Sequence, residues 1–247
     1  MLRMRIRLLA RRGQSVRNEE KGRFGMTSTT KTDSLYKKEY FGRIFELKQH
    51  APEAFETFFK FNDQALAEGK LSVKLKELIA VAVAHITGCP YCIDLHVGNA
   101  KKNDSSKEEV AEAIFVATAL KAGSALAHGV NGLNAYDGNG DGEFYKASYF
   151  NRLPEFAELD EESFKTFVKF DGAALKAGKL SVKEKELIAV ASAHTTGCAY
   201  CIDLHTKNAK KAGATLEELS EAIFVAVALK AGSAIAHSVN ALNAYDN

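Results

Sequence analysis

An internal repeat constrains this chain more than any other feature. Displacing the sequence by 109 residues lays 40–137 on 149–246 without a gap, and 64 of the 98 positions are identical. The match begins slightly earlier, with Tyr36-Lys37 over Tyr145-Lys146. Solenoid units recur at about 20–50 residues, so a period this long marks a duplicated domain rather than a stacked repeat. The division that follows is a tail over 1–34, copies over 35–137 and 144–247, and a six-residue linker, GNGDGE, over 138–143.

Each copy reads as helices throughout. Alanine is abundant and proline occurs only at Pro52, Pro90 and Pro154, a composition that favours helix because Ala loses least on entering one and Pro most. Phe55, Phe58, Phe59, Asn62, Ala65 and Leu66 follow the i, i+3, i+4, i+7 spacing of a largely apolar helical face. Gly69 and Gly178 are expected to stop that helix in a left-handed cap. Ser72 and Ser181 are expected to cap the next helix, through ELIAVA, with Ser181 and Glu184 at capping-box spacing. Gly88 and Gly197 end it, and the following helix starts at the cysteines. Ser106 with Glu109, and Thr215 with Glu218, form further capping boxes that open AEAIFVATALKAG and SEAIFVAVALKAG. A last helix ends near Ala135-Tyr136 and Ala244-Tyr245. No convincing alternating strand occurs, so the expected fold class is all-α, two tandem domains of about six helices each, related by a pseudo-twofold.

The net charge of +2 conceals an uneven distribution. Residues 1–25 carry eight Lys or Arg against Glu19 and Glu20, leaving 25 basic and 29 acidic residues in the remainder. A mildly acidic body argues against nucleic acid as its main partner. In the tail, Leu8-Leu9-Ala10 is too short for the apolar core of a secretory signal. A start codon assigned too early, with translation beginning at Met26 after a disordered basic tail, fits better than an Arg-rich transit peptide. No uncharged apolar run approaches the roughly 18 residues of a membrane span, so a cytoplasmic protein without a membrane partner is expected.

All four cysteines fall in two matching settings, Gly88-Cys89-Pro90-Tyr91-Cys92-Ile93-Asp94-Leu95-His96 and Gly197-Cys198-Ala199-Tyr200-Cys201-Ile202-Asp203-Leu204-His205. Pro90 suits the first turn of a helix, where its missing N–H costs nothing. That puts Cys89 at the N-cap and Cys92 on the first turn, where unpaired N–H groups and the helix dipole favour a thiolate. The dipole supplies roughly 0.3–1 kcal/mol, under one pKa unit, so a larger depression needs hydrogen bonds or a base. His96, four residues after Cys92, shares its helical face and offers one. Cysteines three apart on a first turn are also able to close a disulfide. Three other readings compete. Buried inert cysteines do not account for paired placement at a helix start twice over. A structural zinc needs four ligands, and the motif supplies three, with His85 or His194 on the preceding helix as the fourth. A thioredoxin-like fold shares the CPYC signature but needs a βαβ framework that is lacking here.

Each copy resembles the carboxymuconolactone decarboxylase superfamily, and within it the AhpD-like alkyl hydroperoxidases. The resemblance rests on a Glu, eleven residues, then Cys-x-x-Cys-x-x-x-His, met by Glu77 to Cys89 and again by Glu186 to Cys198. It implies two AhpD-like helical domains acting as a thiol-dependent peroxidase or disulfide reductase, with no cofactor and no metal. Cys92 and Cys201 would be the attacking thiols, Cys89 and Cys198 the resolving ones, and Glu77, His96, Glu186 and His205 the proton relay. The residues alone support such chemistry: a thiolate cleaves a peroxide O–O bond, and a neighbouring thiol condenses with the sulfenic acid. One departure is that the mycobacterial type carries a His inside the motif, where this chain has Tyr91 and Tyr200. A lactone decarboxylase-like lyase and a redox-responsive binding protein are the alternatives.

Partners implied are a peroxide or disulfide substrate and a thiol reductant of the lipoyl or thioredoxin-like kind. His85/His194 and His128/His237 recur in both copies and are expected to serve helix packing or capping rather than the site. The linker imitates the start of an EF-hand loop, but its twelfth position is Ser148 instead of a bidentate Glu, so a flexible linker is the better reading. The Ala-rich helices carry more apolar surface than a domain of about 100 residues buries alone, so intrachain pairing of the copies and a homotrimer of chains are expected.

Overall fold

Two stretches, LIAVAVA and LIAVASA, are apolar on every side, and a helix with that pattern has to be surrounded by protein. They form the centre of the fold. In the computed structural model, which describes residues 34–139 and 142–246, the first copy runs from a 3-10 helix (Lys38–Phe45) through α1 (Glu46–His50), α2 (Pro52–Leu66), α3 (Val73–Thr87), α4 (Pro90–Lys102) and α5 (Lys107–Asp137). The second copy repeats the order with a 3-10 helix (Ala147–Arg152), α6 (Glu155–Leu159), α7 (Glu161–Leu175), α8 (Val182–Thr196), α9 (Ala199–Lys211) and α10 (Leu216–Tyr245). There is no strand among the described residues, and six helical elements per copy match the expectation. The expectations for the basic tail, Met26 included, lie outside the described residues.

Helices α3 and α8 lie side by side, each flanked by the cysteine helix of its own copy, by its own long helix and by the long helix of the other copy. Leu78 to Ala84 and Leu187 to Ala193 are almost wholly enclosed. Small side chains along both helices allow this close approach. One continuous core therefore contains residues of both copies, and residues 35–247 make a single compact unit.

Contacts between the copies are reciprocal, as a pseudo-twofold requires. Arg43 of the first copy binds Glu46 and reaches Asn243 and Asp246 at the end of α10, while Arg152 binds Glu155 and reaches Asn134 and Asp137 at the end of α5. Glu221 on α10 accepts the N–H groups of Lys70 (2.8 Å) and Leu71 (2.9 Å), and Glu112 on α5 accepts those of Lys179 (2.8 Å) and Leu180 (3.0 Å). The buried Lys76 and Lys185 ammonium groups each lie 3.0 Å from the same carboxylates and donate to the Ala67 and Lys176 carbonyls.

The capping expectations hold. Ser72 accepts the Leu75 N–H, the three capping boxes are all closed, and Gly88 and Gly197 end their helices at φ 69° and 73°. Two expectations need correction. Gly69 and Gly178 are not left-handed caps, since α2 and α7 already end at Leu66 and Leu175 with extended residues after them. Glycine leaves room there for the Glu221 and Glu112 carboxylates, which a Cβ would push away from the loop N–H groups they accept. The two helices expected after each capping box are one, α5 and α10, because nothing in KAGSALAHG breaks a helix and Gly123 and Gly232 leave room for Phe167 and Phe58, each 3.6 Å from where a Cβ would sit. By length and composition alone, α5 and α10 are also long and apolar enough to cross a membrane, a test that the core helix of a globular fold passes too. Lys121 and Lys230 interrupt both, so neither contains an uncharged run of that length. Of the two apolar windows, 39% and 44% respectively are buried inside the protein.

Candidate active site

Gly88 turns the chain sharply out of α3, so Cys89 arrives at the N-cap of α4 with its sulfur over the exposed N–H groups of the first turn. Its Sγ accepts the Cys92 N–H at 3.2 Å, and Cys198 receives the Cys201 N–H at the same distance. Pro90 occupies the first turn as expected. Each pair is joined as a disulfide within its own copy, Cys89–Cys92 and Cys198–Cys201. The two sulfurs are not equivalent. Cys89 is 0% exposed, whereas Cys92 is 6% exposed and lines a cavity of about 80 Å³.

Behind the thiols lies a buried acid–imidazole pair. Glu77, on the second turn of α3, and His96, one turn after Cys92, meet with His96 Nδ1 2.7 Å from Glu77 Oε2. His205 and Glu186 repeat this at 2.8 Å. A carboxylate accepts only, so the imidazole Nδ1 carries the proton and the other nitrogen, Nε2, is the one available as a base. The second carboxylate oxygen accepts from Asn99, and in the other copy from Asn208, each at 3.3 Å. The four residues expected at each site are thus brought together, and Asn99 and Asn208 are additions that sequence reading missed. Their signal was a third polar residue one turn beyond the His, identical in both copies.

The hydroxyls of the tyrosines inside the motif are bonded elsewhere than to the acid–imidazole pair. Tyr91 donates to the Lys37 carbonyl (3.1 Å) and Tyr200 to Asn131 Oδ1 (3.0 Å). Burial pushes both phenols above their usual range, so they anchor the motif as neutral donors. His85 and His194 are spent on the Val81 and Val190 carbonyls of their own helices, at 2.8 Å. His237 meets the Tyr36 hydroxyl at 3.1 Å, and His128 stands edge-on to Tyr145. Among the described residues, no three His, Cys, Asp or Glu side chains are grouped to hold a metal ion, and both thiols of each pair are committed to each other.

The cavity is built by both copies. Phe41, Phe58, Phe59 and Asn62 close one side around Cys92 and His96, while Leu229, Gly232 and Ala236 of α10 close the other. No Lys or Arg lines it. Sequence reading assigned each site to its own copy and had no means of finding the wall contributed across the pseudo-twofold.

The arrangement defines a tandem all-helical protein with a buried dithiol, acid and imidazole at each of two pseudo-equivalent sites. The profile of the carboxymuconolactone decarboxylase family matches residues 52–135 and 161–244, and the chain belongs to that family. An uncharacterised protein of the cox locus of Paracoccus denitrificans is 42% identical over 82 residues, 33% of this chain and 74% of the relative. An uncharacterised protein of Cupriavidus necator is 29% identical over 112 residues, 45% of this chain and 96% of the relative. Among solved structures, a putative gamma-carboxymuconolactone decarboxylase subunit of Burkholderia xenovorans superposes with a TM-score of 0.62 at 22% identity, covering 84% of this chain and 94% of that one. At that identity the likeness concerns the fold.

Proposed function

We propose that the protein is a thiol-dependent hydroperoxidase of the AhpD-like kind, with one site per copy. The observation that carries this reading is the unequal placement of two bonded sulfurs. Cys92 faces the cavity beside His96, and Cys89 is sealed behind it within bonding distance. In the reduced protein, His96 Nε2 accepts the Cys92 proton, and the thiolate attacks the terminal oxygen of a hydroperoxide. The S–O bond forms as the O–O bond breaks, giving a sulfenic acid and an alkoxide that takes a proton and leaves as an alcohol. The Cys89 thiol then condenses with the sulfenic acid, expelling water and closing the disulfide. Each turnover consumes two thiols, so an external dithiol, of the lipoyl or thioredoxin-like class, has to reduce the pair. The apolar wall favours a hydroperoxide with a hydrocarbon substituent. The same wall disfavours lactone decarboxylation, since a carboxylate substrate calls for a permanent cation and no Lys or Arg lines the cavity.

Single-turnover oxidation of the reduced protein by hydrogen peroxide and by cumene hydroperoxide tests the proposal, with the resulting disulfides mapped by mass. Cys92→Ser with Cys201→Ser should abolish peroxide consumption. Cys89→Ser with Cys198→Ser should leave a sulfenic acid that a dimedone probe labels. Equal labelling of both double variants would overturn the assignment of attacking and resolving thiols, and no oxidation of the parent protein would overturn the function.

A further inference from the structure

The duplication preserves the thiols, the acid and the imidazole, but it does not preserve the cavity wall. Asn62 on α2 lines the first cavity with Cys92 and His96. The residue 109 positions on, on α7, is Asp171, and its neighbour one turn earlier changes from Phe59 to Val168. The two helices sit alike. Phe58 of α2 approaches Gly232 on α10, and Phe167 of α7 approaches Gly123 on α5, each 3.6 Å from the position of a Cβ. By this correspondence, the position matching Asn62 carries a carboxyl in the second copy, and the one matching Phe59 carries the smaller Val168, which is 51% exposed.

We propose that Asp171 is a proton donor of the second site, so that the two sites of one chain reduce hydroperoxides with different pH dependences. This rests on the hydroperoxidase reading. When the Cys201 thiolate attacks, sulfur is oxidised to a sulfenic acid and the departing oxygen leaves as an alkoxide. The Asp171 carboxyl transfers its proton to that oxygen, releasing the alcohol, and is reprotonated from water because it is only half-buried. Asn62 has no acidic proton, so the first site depends on the imidazolium formed there. Burial pushes the Asp171 carboxyl above its usual range; the neighbouring His205 opposes this and the Glu186 charge adds to it. Those two, on α9 and α8, are the titratable groups acting on it. On the other helices packed against α7, Lys121 of α5 turns to the Ile86 carbonyl, Glu155 of α6 is held by Arg152, and Glu158 is exposed. Donation by Asp171 is complete below its raised pKa and is lost as pH rises through it.

Two single-site chains test the proposal, one with Cys89→Ser and Cys92→Ser, the other with Cys198→Ser and Cys201→Ser. Each is reduced and oxidised once by cumene hydroperoxide upward from the ordinary carboxylate range, from about pH 4 to about pH 8, with the thiolate fraction measured in parallel by iodoacetamide alkylation. Corrected for thiolate, the rate at Cys201 should fall as pH rises, while that at Cys92 should lack this fall. Asp171→Asn should slow the second site about 100-fold at the acidic end and remove the slope. Asn62→Asp should install the slope at the first site, a gain that misfolding does not imitate. Turnover at both sites with slopes unmoved by either exchange would overturn the proposal and leave the hydroperoxidase reading standing. Absence of turnover at both parent sites would overturn that reading and the proposal with it.

Discussion

Glu77 is a charge within KLKEL that nonetheless leads into the apolar LIAVAVA, and it is buried. It is 4% exposed and held by His96 and Asn99. Replacing Glu77 and Glu186 by Gln tests what the acid contributes. Gln keeps the shape and can still accept from the imidazole, but it removes the negative charge that fixes the Nδ1 proton and stabilises the imidazolium. Cysteine oxidation by hydroperoxide should slow by about 100-fold at neutral pH. Thermal stability should fall by only about 1–3 kcal/mol per site, the cost of a perturbed buried hydrogen bond. An unchanged oxidation rate beside a lowered melting temperature would make the acid purely structural. The thiols, acid and imidazole were legible because their spacing recurs in both copies. Asn99 was not, because an Asn on a helix end reads as solvent-facing until its partner is known. Asn62 was visible as a polar interruption in an apolar stripe, and that interruption marks the cavity wall.

Helices α3 and α8 were legible from their caps and uniform apolarity, but the link that locks them was not. Glu112 and Glu221 stand early in long, mostly apolar helices, and their partners are backbone N–H groups some 67 and 151 residues away in sequence. No local pattern reports an acceptor for an irregular loop in the other copy. The same contact explains Gly69 and Gly178 better than the turn chemistry that sequence reading assigned them. Burial alone would raise both carboxyls, but the hydrogen bonds from Leu71 and Lys70 to Glu221, and from Leu180 and Lys179 to Glu112, outweigh it, helped by Lys76 and Lys185. Both are therefore held below the usual carboxylate range. A depressed folded-state pKa contributes stability that is present above the unfolded value, about 4.5, and is lost as pH falls through the folded one. Glu112→Gln with Glu221→Gln should lower stability at neutral pH by roughly 1–3 kcal/mol per site. The double variant should also lose less further stability than the parent on acidification below about pH 4.5. Urea denaturation at neutral and acidic pH checks both. Parallel losses for parent and variant across that range would show that these carboxylates do not set the acid limb.

At the scale of the molecule, the repeat announced two copies, and helical periodicity announced what each is made of. The way they interlock comes from reciprocal contacts that only the folded chain displays. Arg43 and Arg152 each clasp the end of the other copy's long helix, and each long helix shields the other copy's central helix. That pairing still leaves apolar side chains uncovered. Phe115 on α5 is 56% exposed and its counterpart Phe224 on α10 is 51% exposed, with Val227 one turn on. Phe224 is touched by Phe61 from across the pseudo-twofold, but about half of it faces outward. Because the two faces are related by the pseudo-twofold, any contact that buries one has a near-copy available at the other, and such doubled contacts form a ring where the rotation closes and an open filament where it does not. We propose a ring of three chains, presenting six copies, in which neighbouring subunits cover these helices. Light scattering at micromolar concentration should give a mass about three times the chain's 26.9 kDa. Phe115→Glu with Phe224→Glu, at positions outside the cavity wall, should dissociate it while leaving the thiol chemistry of the single chain in place. A stable mass near 26.9 kDa for the parent protein would exclude the ring.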